Sequence, residues 1–311
     1  MCDCDFLKMY PGLIIKFLQM QKIKIIKHIT KICTYLGNIK IGHIIALTIF
    51  CISAYAQPVP MPQSLDKYKV LGNADYVITY ELSFIKDPQN LKRGHDIIIV
   101  EVGKDFSKSY SKVLFDADST STEWLKKGAS VLPTAKESIP LEDVYKNLNT
   151  KTSKIIFRSI LTGPIYQYEE DSNLMDWTLR PEKKKILSYS CQRATTNFRG
   201  RDYEAWFTND IPISNGPWKF GGLPGLILSI KEIQDNFVFE CIGIQKTKSQ
   251  RLIKFWLWDY KTITREQLQK LKKRMYLNTY NYCISIGQAI GGDPIEARKK
   301  MNYPYNPIEL Q

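Results

Sequence analysis

The stretch Asp75-Tyr76-Val77-Ile78-Thr79-Tyr80-Glu81-Leu82-Ser83-Phe84-Ile85 decides the fold class. Tyr76, Ile78, Tyr80, Leu82 and Phe84 occupy alternate positions, with Thr79, Glu81 and Ser83 between them. Side chains along a strand point to opposite faces in turn, so a period of two describes a half-buried antiparallel strand. Asp87-Pro88-Gln89-Asn90 supplies a turn, and the β-branched run at 97–102 returns beside the first strand. Working outward, strands are expected at 154–161 and 165–169, split by Gly163-Pro164, and at 185–197, 203–208, 226–233, 237–244 and 254–260. Gln234-Asp235-Asn236 has the chemistry of a hairpin turn. The pattern loosens over 119–148, which reads as loop and short helix.

The C-terminal part changes period. Thr264-Arg265-Glu266-Gln267 is a capping box, with Ile263 and Leu268 at the positions of a hydrophobic staple. Leu268, Leu271 and Met275 form a narrow apolar stripe, and Lys270, Lys272, Lys273 and Arg274 are read as the opposite, solvated face. Asp293-Pro294 opens another helix, with Pro at its first position. The expected fold is mainly β (α+β): a bent antiparallel sheet or partial barrel, with C-terminal helices packed on it.

The chain has 311 residues, and its 44% hydrophobic and 24% charged composition is that of a globular protein. Residues 1–56 read as a leader, in which Met20 offers an alternative start. Lys22, Lys24, Lys27, Lys31 and Lys40 precede the apolar run at 41–53. Ala54-Tyr55-Ala56 then places the cleavage between Ala56 and Gln57. Residues 57–74 read as a Pro-rich linker and 75–311 as a single β-rich domain. Loss of the leader lowers the net charge from +13 but leaves it positive. It also removes Cys2, Cys4, Cys33 and Cys51, and leaves no expected transmembrane segment in the mature chain. His28 and His43 go with it, so His95 is the one histidine left for catalysis, which excludes a multi-His metal site. An exported chain meets an oxidising compartment, and of Cys191, Cys241 and Cys283 the first two are the preferred disulfide pair.

The most distinctive block runs from Cys191 to Ile227. It holds Ala194-Thr195-Thr196, then Phe198-Arg199-Gly200-Arg201, and closes on Gly221-Gly222-Leu223-Pro224-Gly225-Leu226-Ile227. The two glycines around Leu223-Pro224 make a tight apolar turn that feeds the strand at 226–233. Gly222-Leu223-Pro224-Gly225-Leu226-Ile227 resembles the name-giving motif of the GLPGLI family, exported proteins of Bacteroidota. The strand at 76–84, the Ala194–Pro217 block and the ending Tyr305-Asn306-Pro307-Ile308-Glu309-Leu310 are similar to its opening, centre and terminus. The resemblance implies a periplasmic, outer-membrane-associated or secreted location. It transfers no catalytic residue.

Chemistry is sparse beside that. The glycine turn lacks the spacing and the Lys-Ser/Thr of a phosphate loop and leads into a strand, so no cofactor is expected. Arg199-Gly200-Arg201 reads as a hairpin turn with solvent-facing arginines in preference to a contact with nucleic acid or an anionic glycan. Trp256 and Trp258 share one strand face and read as core. The preferred function is non-enzymatic binding of an envelope protein or of an apolar or anionic ligand, with nucleic acid not expected. A hydrolase centred on Cys191 with His95, or on carboxylates such as Glu169–Glu170 or Asp202–Glu204, is the alternative. A structural part of a surface assembly is the third reading.

Overall fold

The alternation at 76–84 becomes the middle of a much longer strand, β1 (Tyr68–Asp87), in which Ile78, Tyr80, Leu82 and Phe84 all enter the main core. The computed structural model describes residues 58–135, 141–172 and 174–311, the side chains of 248–250 excepted. The leader reading, with its Ala56–Gln57 cleavage site, lies outside the described residues. After β1 come β2 (Lys92–Gly103), β3 (Phe106–Ser111), α1 (Lys112–Lys126), β4 (Asp143–Asn147), β5 (Thr152–Arg158) and β6 (Ile165–Asp171). Then follow β7 (Thr178–Ile186), β8 (Tyr189–Phe198), β9 (Arg201–Thr208), β10 (Leu226–Glu232), β11 (Phe237–Trp256) and β12 (Tyr260–Thr262). The chain closes with α2 (Arg265–Leu277), α3 (Thr279–Ser285) and α4 (Pro294–Lys300).

The strands form one sheet in the order β12-β6-β5-β4-β3-β2-β1-β11-β10-β9-β8-β7, antiparallel throughout except where β12 meets β6. Ile155 of β5 and Ala205 of β9 share a core cluster although six strands separate theirs in the sheet. A flat sheet would hold those strands roughly 30 Å apart, so the sheet is bent over on itself. β1 and β11 carry three register shifts between them, at Val70/Gly72, Ala74/Tyr76 and Thr79/Tyr80. Such bulges sharpen strand twist and curvature. β12 and β7 do not pair with each other, so the sheet stays open.

Leu268 and Met275 of α2 and Tyr282 and Cys283 of α3 plug the concave side. The capping box holds as drawn, with Thr264 accepting from the Gln267 amide and Gln267 accepting from that of Thr264. Lys272 departs from the expected solvated face. It is buried, with its amine 2.7 Å from Glu142 Oε1. Charge alone suggested solvent, but its partner lies more than a hundred positions earlier in the chain. On the convex side, Val77, Ile99 and Tyr110 form a smaller cluster against Phe115 of α1.

Three boundaries differ from the periodicity reading. The expected strand at 185–197 is a hairpin of β7 and β8, because Leu187 has a φ of 53° and turns the chain. The expected strands at 237–244 and 254–260 are joined through β11, which runs unbroken to Trp256. Residues 58–65, within the stretch read as a linker, lie against the domain: Pro60 bridges to Leu161, and the Gln63 amide donates to Asp118.

Candidate functional site

β4 alternates like every strand, so Lys146 points to the same side as Val144, a fully buried member of the main core. At that place an apolar side chain would be expected. Lys146 is instead 5% exposed, and its amine donates to Asn215 Oδ1 at 3.1 Å and to the Phe220 carbonyl at 2.6 Å. Among the described residues no carboxylate comes within ion-pair distance of it. Burial alone draws the amine down to about 7.

The loop between β9 and β10 brings the partners. Asn215 is 1% exposed, and its Oδ1 accepts from both Lys146 and the Gly216 amide, which fixes the orientation of its side-chain amide. Its Nδ2 is buried and donates to no described group. A buried donor left in that state costs about 1–3 kcal/mol, so it marks a place where the fold gives up stability. Lys146, Asn215, Gly221 and Gly222 line an open cleft of about 770 Å³. Its rim carries exposed Asp75, Lys104, Lys151 and Asp176, with Tyr76 and Met175 as apolar wall.

The glycine motif shapes this cleft. Gly222 has a φ of +86°, which a side chain resists, and it sits beside the Trp177 indole. Trp177 Nε1 donates to the Gly221 carbonyl at 2.8 Å. A Cβ on Gly221 would stand 3.6 Å from the Lys146 amine. At Gly225 the constraint is space: a Cβ would meet the Thr208 carbonyl oxygen at 2.0 Å. Leu223, Leu226 and Ile227 are buried and anchor the turn, while Pro224 is exposed.

Next to the motif, Trp218 and Lys219 enter a different environment. Lys219, 3% exposed at its side chain, pairs with Glu309 at 2.6 Å and Glu170 at 2.7 Å, and Tyr168 OH accepts from it at 2.7 Å. Arg265 and Gln269 of α2 donate to the second oxygen of Glu309. Trp218 Nε1 donates to Glu142, whose other oxygen meets Lys272. Burial pushes the Glu142 carboxyl up, but Lys272 and Lys219 outweigh it and hold it below its ordinary range. Here every charge is met.

The other sequence candidates separate. Cys191 and Cys241 are buried free thiols, as is Cys283, so the expected pairing is not made. They stand on β8 and β11 with two strands between, and each donates to a carbonyl of its own strand region. Burial raises both thiols, Cys241 to about 11, which disfavours a nucleophilic thiolate. His95 is exposed on β2 and faces Glu81 at 3.8 Å, so it is no base for Cys191. Arg201 is buried, not solvent-facing: it donates to the Pro307 carbonyl and to Asn306, while Arg199 pairs with Glu170. Arg201 thus fastens the C-terminal tail to the β8–β9 turn. Glu169 pairs with Lys154 and Glu204 with Arg193, and Asp202 accepts from Asn197, so these carboxylates are engaged separately. Trp256 is buried on the convex side and stacks on Trp258. Sequence reasoning missed Lys146 and Asn215. The signal for Lys146 was present as a lysine in register with Val144, within a strand that the loose pattern of 119–148 concealed.

Residues 128–266 match a family model described as "N-glycanase peptide, N-terminal domain". Two solved structures of PNGF-II, in C2 and P21 space groups, are similar at 20% identity and a TM-score of 0.43. In each the match covers 63% of this chain and 32% of the solved chain, so it spans about a third of those proteins. No curated protein sequence matches. None of the described helices is long and apolar enough to cross a membrane.

Proposed function

We propose that this chain is an exported cell-envelope protein of the GLPGLI type, which binds a glycan in the cleft beneath Gly221–Gly222. One observation carries the reading: an open, polar-rimmed cleft is lined by Asn215, whose buried side-chain amide has an unused donor. Saccharides present dense hydroxyl groups, and an amide donor flanked by the Tyr76 and Met175 wall suits them. The family model's description supports the same ligand class. The location rests on the leader at 1–56. A Ser214→Trp variant tests the site, because Ser214 is exposed and lines the cleft. The full chain is expected to retain glycans on an array, and the variant to lose at least tenfold in signal while its circular dichroism is unchanged. Equal retention by both proteins would remove the cleft from the reading.

A second reading, a glycan hydrolase, is favoured by Asp75 and Asp176, which line the same cleft. Two carboxylates flanking a bound glycosidic bond can share acid and base roles. Release of free sugar by the full chain, abolished in Asp75→Asn or Asp176→Asn, would establish it.

A further inference from the structure

We infer that the cleft selects an acidic saccharide, whose carboxylate is received by Lys146 and Asn215. The inference rests on the glycan-binding reading and narrows it. Two residues lining the cleft carry donors without sufficient acceptors: Asn215 Nδ2 meets no described group, and Lys146, once protonated, has three N–H for two neutral carbonyls. A carboxylate brings two oxygens and the missing charge, whereas a hydroxyl brings no charge.

The surrounding ionisable groups agree. Lys104 lies just after β2, Lys151 in the β4–β5 turn, Asp75 on β1 and Asp176 ahead of β7. The two carboxylates are exposed at the rim, where solvent screens them, while Lys146, which lines the same cleft, is buried. An incoming anion therefore meets its least screened partner in Lys146. Lys219 and Lys272 are already paired with Glu170, Glu309 and Glu142, so they do not compete.

The buried amine also ties binding to protons. With its ordinary value of 10.5 drawn down to about 7, free Lys146 is largely neutral at pH 8. A bound carboxylate favours the charged form, so association at pH 8 takes up a proton.

The test is isothermal titration of the full chain with D-glucuronate, methyl glucoside and acetate, in two buffers of different ionisation enthalpy. Glucuronate is expected to bind at least tenfold more tightly than either control, with proton uptake approaching about one per ligand at pH 8 and falling away by pH 6. Lys146→Met is expected to lose both the preference and the uptake. Asn215→Asp, which places a like charge in the cleft, is expected to weaken glucuronate more than the glucoside. Equal affinity for glucuronate and methyl glucoside would overturn the inference and leave the glycan reading standing. Equal affinity for acetate would remove the saccharide. Failure of all three to bind would overturn both readings.

Discussion

Two buried lysines near the glycine turn, Lys219 and Lys146, obey different rules. Lys219 is surrounded by Glu170, Glu309 and Tyr168, which are in turn held by Arg199, Arg265 and Gln269. Lys146 has two carbonyls and an open cleft. A buried charge whose partners all lie inside the fold joins elements together. One whose partners are incomplete is available to something outside. The difference separates scaffold from site more sharply than composition could, because both residues are simply lysines in strand-rich sequence.

The largest expected effect comes from breaking the complete side. Lys219→Met leaves Glu309 and Glu170 buried beside each other, and removal of one partner from a buried pair costs about 3–5 kcal/mol. Denaturant unfolding should show that loss, together with increased proteolysis of the C-terminal tail that Glu309 anchors. A loss of unfolding free energy below about 1 kcal/mol would show that the network is not structural.

Gly225→Ala comes next. Its Cβ would overlap the Thr208 carbonyl, so the turn must move, at about 1–3 kcal/mol for overpacking of this kind. Equal thermal midpoints for the two proteins would show that the turn is looser than its geometry. The same substitution should disturb the Asn215 loop and hence ligand binding.

Per pH unit, the smallest change sharpens the comparison through the titration of Lys146. Lys146 holds its proton to about pH 10.5 when unfolded but only to about pH 7 in the fold, so the unfolded chain binds more protons between those values. Its contribution to stability therefore increases as pH rises from 7 towards 10.5. Lys146→Met should flatten that part of the stability curve relative to the parent. Parallel curves would assign the amine an ordinary value and weaken its role in the cleft.

What could be read in the sequence was whatever depends on neighbours along the chain. The alternation of Ile78, Tyr80, Leu82 and Phe84, the Thr264–Gln267 capping box and the turn at Gly222–Gly225 all follow from local spacing and backbone preference, and all are present. The class, a bent β-sheet with C-terminal helices packed on it, follows from those elements. The sheet order, the inward turn of Arg201 and Lys272 and the separate thiols did not, because each depends on a partner strand or tail chosen in three dimensions. The site lies wholly in that second category. Lys146 and Asn215 are 69 positions apart, and only the folding-over of the sheet removes them from water together. Local periodicity states which face a residue takes, while solvation and the charge opposite it depend on everything that packs against that face.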